Sequence, residues 1–552
     1  MRITRVIGLL RTLRLPHSKS LISLEDKTAI AEAPSASSSG CNGSQKCFSS
    51  VSEDCRNSWQ LKLKIFLFGS TALSFGLSGD VVLADNISSD VAINNGQGDD
   101  YVVGLNKIED GSVISNTHTI KWRIFTDNGR GLFSKGELDE AEKYFQSALQ
   151  EAKEGFGPRD PHVASSCNNL AEIYRIRKAF DKAEPLYLQA INILEEYFGS
   201  NDIRVGAALH NLGQFYYVQR KVELAQMCYE RALKIEGRVL GHGHPDFANT
   251  MYHLAVVLFL QGKEKDSEAL LWESIKILEE NGLGETITCI RRMQYLAKIL
   301  LKSGRLVEAE NLHRRILHLL EISKGWYSLE AINTASGLAM ILVSLENLEE
   351  AQELLERCLD ARKNVLPQGD IQVAVDMLHL GKIAVIKFKN LRRLKISNAN
   401  GELEKAKLLA DKSIRITKEY VSTAVKSQER VRDSRQPKDS AKDLKFALII
   451  LLQSLDFLGL LKATRRALVE TETEDLASFQ FEVEEALHQC ISIFQEYATH
   501  TLLSFPQVKN YPSCLNYLLN LALEQIEDGN GKPNALQELI DEAQQIRYEA
   551  LS

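Results

Sequence analysis

Several things that would narrow the function of a 552-residue chain are missing from this one. Its nine cysteines include no CxxC pair and are odd in number, so neither a zinc-ribbon nor a thioredoxin-like framework is written here. They read as mostly buried thiols, and the loosely spaced Cys41, Cys47 and Cys55 as incidental. Prolines number only 11, which suits long helices better than strands joined by many turns. Charge of one sign is also lacking. The 66 Lys+Arg are interspersed among 73 Asp+Glu for a net charge of -7, so no basic face is expected and nucleic acid is excluded as the main partner.

Catalytic signatures are missing too: there is no P-loop, HExxH, GxSxG or Rossmann fingerprint, and DGNGK at 528–532 lacks the phosphate-loop spacing. The one metal-like cluster is His242-Gly243-His244 with His210 and His253 in register, and it reads as a connector signature beside a surface histidine. No enzyme activity, cofactor or metal is therefore expected. With 44% apolar and 25% charged residues, the composition favours amphipathic helices around a large core.

The amino-terminal 100 residues stand apart. MRITRVIGLLRTLRL carries Arg2, Arg5, Arg11 and Arg14 with no acid before Glu25, the pattern of an organelle transit peptide. After a Ser/Ala-rich stretch, Lys62 and Lys64 precede the apolar run from Ile65 to Gly79. That run falls short of the ~20 residues that span a bilayer and resembles a signal core with small residues near Ala84. The arrangement predicts a chloroplast leader directing the chain to the thylakoid lumen or membrane. The alternatives are a mitochondrial presequence with an anchor and a bland apolar patch. Membrane contact is expected only through residues 65–79. The polar stretch that follows is too poor in apolar side chains to fold alone.

From Thr126 onward the chain repeats itself. The motif DEAEKYF, DKAEPLY, ELAQMCY, KDSEALL, VEAENLH, EEAQELL places Ala141, Ala183, Ala225, Ser267, Ala309 and Ala351 at intervals of 42. Leu170, Leu212, Leu254, Leu296, Leu338 and Leu380 keep the same interval. A second small-residue series, Gly129, Ala171, Gly213, Ala255, Ala297, Ala339 and Gly381, falls midway along what reads as the first helix of each pair. Small side chains are needed where two helices approach closely. Tyr174, Tyr216, Leu258, Leu300 and Leu342 should fill the space between neighbouring pairs. Gly136, Gly262 and Gly304 mark the turn within a pair, where Lys178, Arg220 and Glu346 stand in the other copies.

These motifs, with NNLAEIY, HNLGQFY and YHLAVVL and the connectors GPRDPHVA and GHGHPDFA, resemble the tetratricopeptide repeat (TPR). They are similar specifically to the 42-residue form found in kinesin light chains and the plant kinesin-light-chain-related proteins. The connector GSNDIRVG departs from the His-Pro pattern. The resemblance implies an all-α, right-handed TPR superhelix (α-solenoid) of antiparallel helix pairs with a helical C-terminal cap. It implies a non-catalytic scaffold that holds a protein or peptide segment in the concave groove. In the family's register, the groove is lined by Asn168, Asn169 and Arg175, then His210, Asn211, Gln214 and Tyr217, then Asn249, Tyr252 and His253, then Arg291, Gln294 and Lys298. Ser165 and Glu172 lie in the same register. Asparagines there suit a peptide backbone, and Arg175, Arg291 and Lys298 an acidic residue.

The expected organisation is a leader over 1–84, a polar linker over 85–120 and a TPR array over 121–420, with six regular units and an interrupted further one. A charged linker over 421–441, either a loop or an exposed helix end, and a helical extension over 442–552 complete it. The insertion KFKNLRRLKISNAN is expected in a turn, with Arg392, Arg393 and Lys395 on a solvated loop. FALIILLQSLDFLGLLKA, with Gln453 and Asp456 inside it, reads as a buried helix. Assembly of a larger complex in an organelle is the favoured role. A cytosolic motor adaptor of the kinesin-light-chain kind is the alternative, set against by the lack of coiled-coil heptads ahead of the repeats.

Overall fold

The computed structural model describes residues 117–394, 399–430, 439–469 and 476–497, with short helical pieces at 518–519, 522 and 537–545. The leader, most of the linker, and Cys41, Cys47, Cys55 and Cys514 lie outside the described residues. Every long element is an α-helix, and no strand occurs among the described residues. The helices follow one another as pairs, the build of an α-solenoid.

Two compact units divide between Ile299 and Leu300. The first holds the pairs α1 (Thr117–Ser134) with α2 (Leu138–Phe156), α3 (Pro161–Ile176) with α4 (Phe180–Phe198), α5 (Ile203–Val218) with α6 (Val222–Val239), and α7 (Pro245–Leu260) with α8 (Glu264–Glu280). Helix α9 (Ile287–Lys302) carries the division. The second unit continues through α10 (Leu306–Lys324), α11 (Leu329–Ser344), α12 (Leu348–Val365), α13 (Ile371–Arg393), α14 (Ala399–Arg430), α15 (Asp439–Val469) and α16 (Leu476–Tyr497).

The small-residue markers are the contact points within a pair. Ala141, Ala183, Ala225, Ser267, Ala309 and Ala351 are all fully buried. Ser267, the one copy with a hydroxyl, donates it to the Ala255 carbonyl at 2.6 Å, so a residue of one marker series lies directly on a residue of the other. Where the first-helix marker is glycine, an aromatic ring occupies the space a methyl would need. A Cβ on Gly129 would lie 2.6 Å from Phe145, and one on Gly213 2.8 Å from Tyr229.

The turn inside each pair repeats the same backbone hydrogen bonds. Ala179 N–H donates to Tyr174 O and Lys178 N–H to Arg175 O. Lys221 and Arg220 repeat this on Tyr216 and Tyr217, and Lys263 and Gly262 on Leu258 and Phe259. This Schellman closure needs one residue in the left-handed region. Gly136, Gly262 and Gly304 supply it with φ of 81, 77 and 74°, and Lys178, Arg220 and Glu346 adopt it too, at 59, 63 and 69°. The residue whose carbonyl receives the longer bond belongs to the Tyr174-to-Leu342 series, so one position both fills the inter-pair space and closes the turn.

Connectors between pairs are unified by their caps rather than by His-Pro. Asp160, Asp202, His244, Ser328 and Asp370 each accept a backbone N–H of the next helix's first turn. The divergent connector GSNDIRVG keeps this cap in Asp202, which explains why it can dispense with proline. Pro161 and Pro245 stand at the first helical position, behind extended residues, as expected.

One sequence expectation needs correction, and one left open is decided. The insertion does not sit wholly in a turn: α13 runs on to Arg393, because Phe388 continues the apolar stripe of Val385 and is buried. Lys395 lies outside the described residues. The charged stretch begins as helix, since α14 extends to Arg430, and only 431–438 separates it from α15. Helix α15 is two-thirds buried over its most apolar window, as read from Gln453 and Asp456. Its Leu444, Leu448, Leu451 and Leu455 form one core with Ile414 and Val421 of α14 and with Leu487 and Ile491 of α16. The described cysteines form no disulfide, and Cys167, Cys289, Cys358 and Cys490 are buried.

Candidate functional site

After α1, the first helices of the pairs in unit 1 are α3, α5 and α7. They are enclosed on nearly all sides: in α5 every residue from Ala208 to Tyr217 is buried. A helix this enclosed should be apolar throughout. Instead α3, α5 and α7 carry Asn, Gln, His, Glu and Arg at the buried positions, and these demand partners.

Some partners come from the neighbouring pair. Asn211 Nδ2 donates to Asn168 Oδ1 at 3.1 Å, tying α5 to α3. Asn169, at 1% exposure, has no partner for its Nδ2, and Gln214 none for its Oε1. His210 Nδ1 lies 2.8 Å from Thr250 Oγ1, and its ring meets those of His253 and Tyr229 edge-on at 4.9 and 5.4 Å. Tyr229 stacks on His253 at 5.7 Å, and Tyr252 meets Tyr295 edge-on at 6.1 Å. Burial holds both imidazoles neutral, driving His210 down to about 4 and His253 well below its usual range. Tyr217 is buried as well.

Arg175 does not await an acidic residue from outside. Its Nη2 sits 2.8 Å from Glu172 Oε2, one turn back on the same helix, and Tyr187 donates to the other Glu172 oxygen. Burial opposes its charge, but the Glu172 carboxylate and Tyr187 more than offset this and raise its pKa. The expectation that Arg175 meets a partner's carboxylate is corrected on that ground. Asn249, Arg291, Gln294 and Lys298 lie nearer solvent. Arg291 and Gln294 are exposed, while Lys298 is half-buried with its Nζ 5.7 Å over Phe259 and 6.0 Å over Tyr295. The His-Pro histidine is a cap, with Nδ1 accepting from Asp246 N–H at 3.1 Å, and His242 packs edge-on against Phe247.

Arg292 was missed by register counting, which selected Arg291. It is the buried one of the two: its Nη1 donates to Ser274 Oγ at 2.8 Å and its Nη2 reaches Asn249 Oδ1 at 3.4 Å. Burial lowers its pKa to about 10. Tyr229, Thr250 and Glu236 were also missed. A signal existed: at the position of Arg292 the other copies carry Ser166, Ala208, Thr250, Thr334 and Asp376, and at that of Glu236 they carry Ala152, Leu194, Leu278, Leu320 and Arg362. Within unit 1 the other members of both columns are small or apolar, and a charged residue among them marks a local departure from the repeat.

A protein-family model for the tetratricopeptide repeat matches residues 123–196, 204–280 and 289–364. No curated protein matches the sequence. Among solved structures, the chain is similar to a Podosopora anserina protein named for its kinesin light chain nearly identical TPR-like repeats, at 20% identity and a TM-score of 0.35, over 38% of this chain and 99% of that one. It is also similar to PilF of Pseudomonas aeruginosa, at 17% identity and a TM-score of 0.34, over 47% and 97%. The apo form of RapI shows 11% identity and a TM-score of 0.43, over 79% and 97%.

Proposed function

We propose that the chain, whose residues 123–196, 204–280 and 289–364 match the tetratricopeptide repeat and whose motifs resemble the kinesin-light-chain form, is a non-catalytic scaffold. Its ligand is an extended peptide or protein segment held along the first helices of unit 1. The observation that carries this reading is the row of buried amide and imidazole groups Asn169, His210, Asn211 and Gln214, with half-buried Asn168 bonded to Asn211. Inside an enclosed helix layer such groups cost stability unless they serve something. Asn169 Nδ2 is a donor and Gln214 Oε1 an acceptor, and neither has a protein partner, the complement of a peptide backbone. The test is Asn169→Ala combined with Asn211→Ala. Partners recovered with the full chain should be lost at unchanged helicity; undiminished recovery would move the binding face elsewhere.

The role extends to assisting assembly of a complex in a chloroplast. Support comes from the arginine-rich, acid-free start and the Ile65-to-Gly79 run. A fluorescent protein fused behind residues 1–100 should concentrate in that organelle, and a diffuse cytosolic signal would rule the placement out.

A further inference from the structure

Three helices of unit 1 meet at a hydrogen-bonded relay. Thr250 Oγ1 on α7 donates to Glu236 Oε1 on α6 at 3.0 Å, and His210 Nδ1 on α5 lies 2.8 Å from the same hydroxyl. All three side chains are buried. An ionised carboxylate only accepts, so the single hydroxyl proton of Thr250 is committed to Glu236. Its oxygen can then only accept from His210, which puts the imidazole proton on Nδ1. The neutral ring must therefore carry a lone pair at Nε2, and that nitrogen is buried with no partner in the protein.

The repeat supplies its own control. At the three relay positions the preceding copy carries Asn168, Ala208 and Leu194, so the helix-pair build does not require a relay.

We infer that His210 is a specificity-determining residue of this inner face, locked by Thr250 and Glu236 as the Nδ1–H tautomer so that Nε2 accepts an N–H donor from the bound segment. The inference rests on the peptide-holding reading above and names the polarity of one of its contacts. Thr250 and Glu236 are positioning residues. Around the relay, Asp246 on α7 faces Glu236, while Tyr229 on α6 and His253 on α7 face His210, with Arg175 and Arg292 acting on His253. Burial first, and then Asp246, lift the Glu236 carboxyl to about 7, against the pull of its Thr250 bond. Below that pH a protonated Glu236 can donate to Thr250. The hydroxyl is then released to donate to His210 Nδ1, and Nε2 becomes a donor.

The test is two-bond 15N–1H correlation on the histidine-labelled full chain, with His210 assigned by His210→Asn. At pH 8.5 His210 should be the Nδ1–H form and at pH 5.5 shift toward Nε2–H. Thr250→Val should abolish this response, and Glu236→Gln, which preserves shape, should abolish it independently. An Nε2–H form at pH 8.5, or an undiminished response in either folded variant, overturns the relay. N-methylacetamide, which has an N–H, should move the His210 Nε2 resonance, and N,N-dimethylacetamide, which has none, should not. Equal effects of the two amides, or none from either, would overturn the donor assignment. None of these readouts needs the protein partner, so the Asn169/Asn211 experiment can fail while the relay stands, and the reverse.

Discussion

Lys178 and Arg220 sit where the turn demands a left-handed residue, at φ of 59 and 63°. Both side chains are exposed, so changing them to glycine removes little packing. A non-glycine residue in this region costs about 1–2 kcal/mol, and glycine's extra freedom in the unfolded chain returns about 0.5–1 of it. Each of Lys178→Gly and Arg220→Gly should therefore stabilise by about 0.5–1 kcal/mol, and the pair by about 1–2, since the two turns share no partners. Urea unfolding followed by far-UV circular dichroism should show the midpoint of the double variant displaced upward. The reverse experiment is Gly262→Ala, at φ 77° with nothing within 4 Å of the added methyl, where the loss is one of backbone conformation alone. A midpoint unchanged or lowered in the Lys178/Arg220 variant would refute the claim that the turn geometry, rather than side-chain packing, sets the residue preference.

Gly213→Ala puts a methyl 2.8 Å from the Tyr229 ring, and overpacking of this kind should cost about 1–3 kcal/mol, read as a lowered urea midpoint. In unit 2, Asp376 and Arg362 form a fully buried pair, with Ser336 donating to the Asp376 carboxylate and Asn333 accepting from the Arg362 guanidinium. Asp376→Ala should cost about 3–5 kcal/mol by stranding the guanidinium, whereas Arg362→Met with Asp376→Leu should recover most of the loss in thermal unfolding. Glu236 titrates near 7 folded against an ordinary 4.5, so the folded state holds a proton the unfolded chain has released. Its contribution is greatest below pH 4.5 and is lost as pH rises through 7, by about 3 kcal/mol in all. Glu236→Gln should flatten that part of the stability–pH curve, and a curve of unchanged slope would show that the carboxyl is not buried as described.

The repeat was legible because its markers are packing rules that act within about 42 residues. A small residue must lie where helices touch, a left-handed residue must close the turn, and a cap must start the next helix. The site was only partly legible. Register placed Asn168, Asn169, His210, Asn211 and Gln214 on one face, and the structure joins Asn168 to Asn211 across two helices. Register could not tell that Glu172 had already taken up Arg175, nor that Arg292 rather than Arg291 turns inward.

The 42-residue interval thus determined by itself the helix pairs, their turns and the face they share, because each rule is local to one pair or its neighbour. Only the tertiary structure decided which polar groups are spent inside the protein and which are left over. The Thr250 hydroxyl that orients His210 is 40 residues away from it, and the Glu236 that holds Thr250 lies on a third helix. Hydrogen-bond polarity depends on such distant side chains meeting at about 3 Å, a condition that no spacing along the chain encodes.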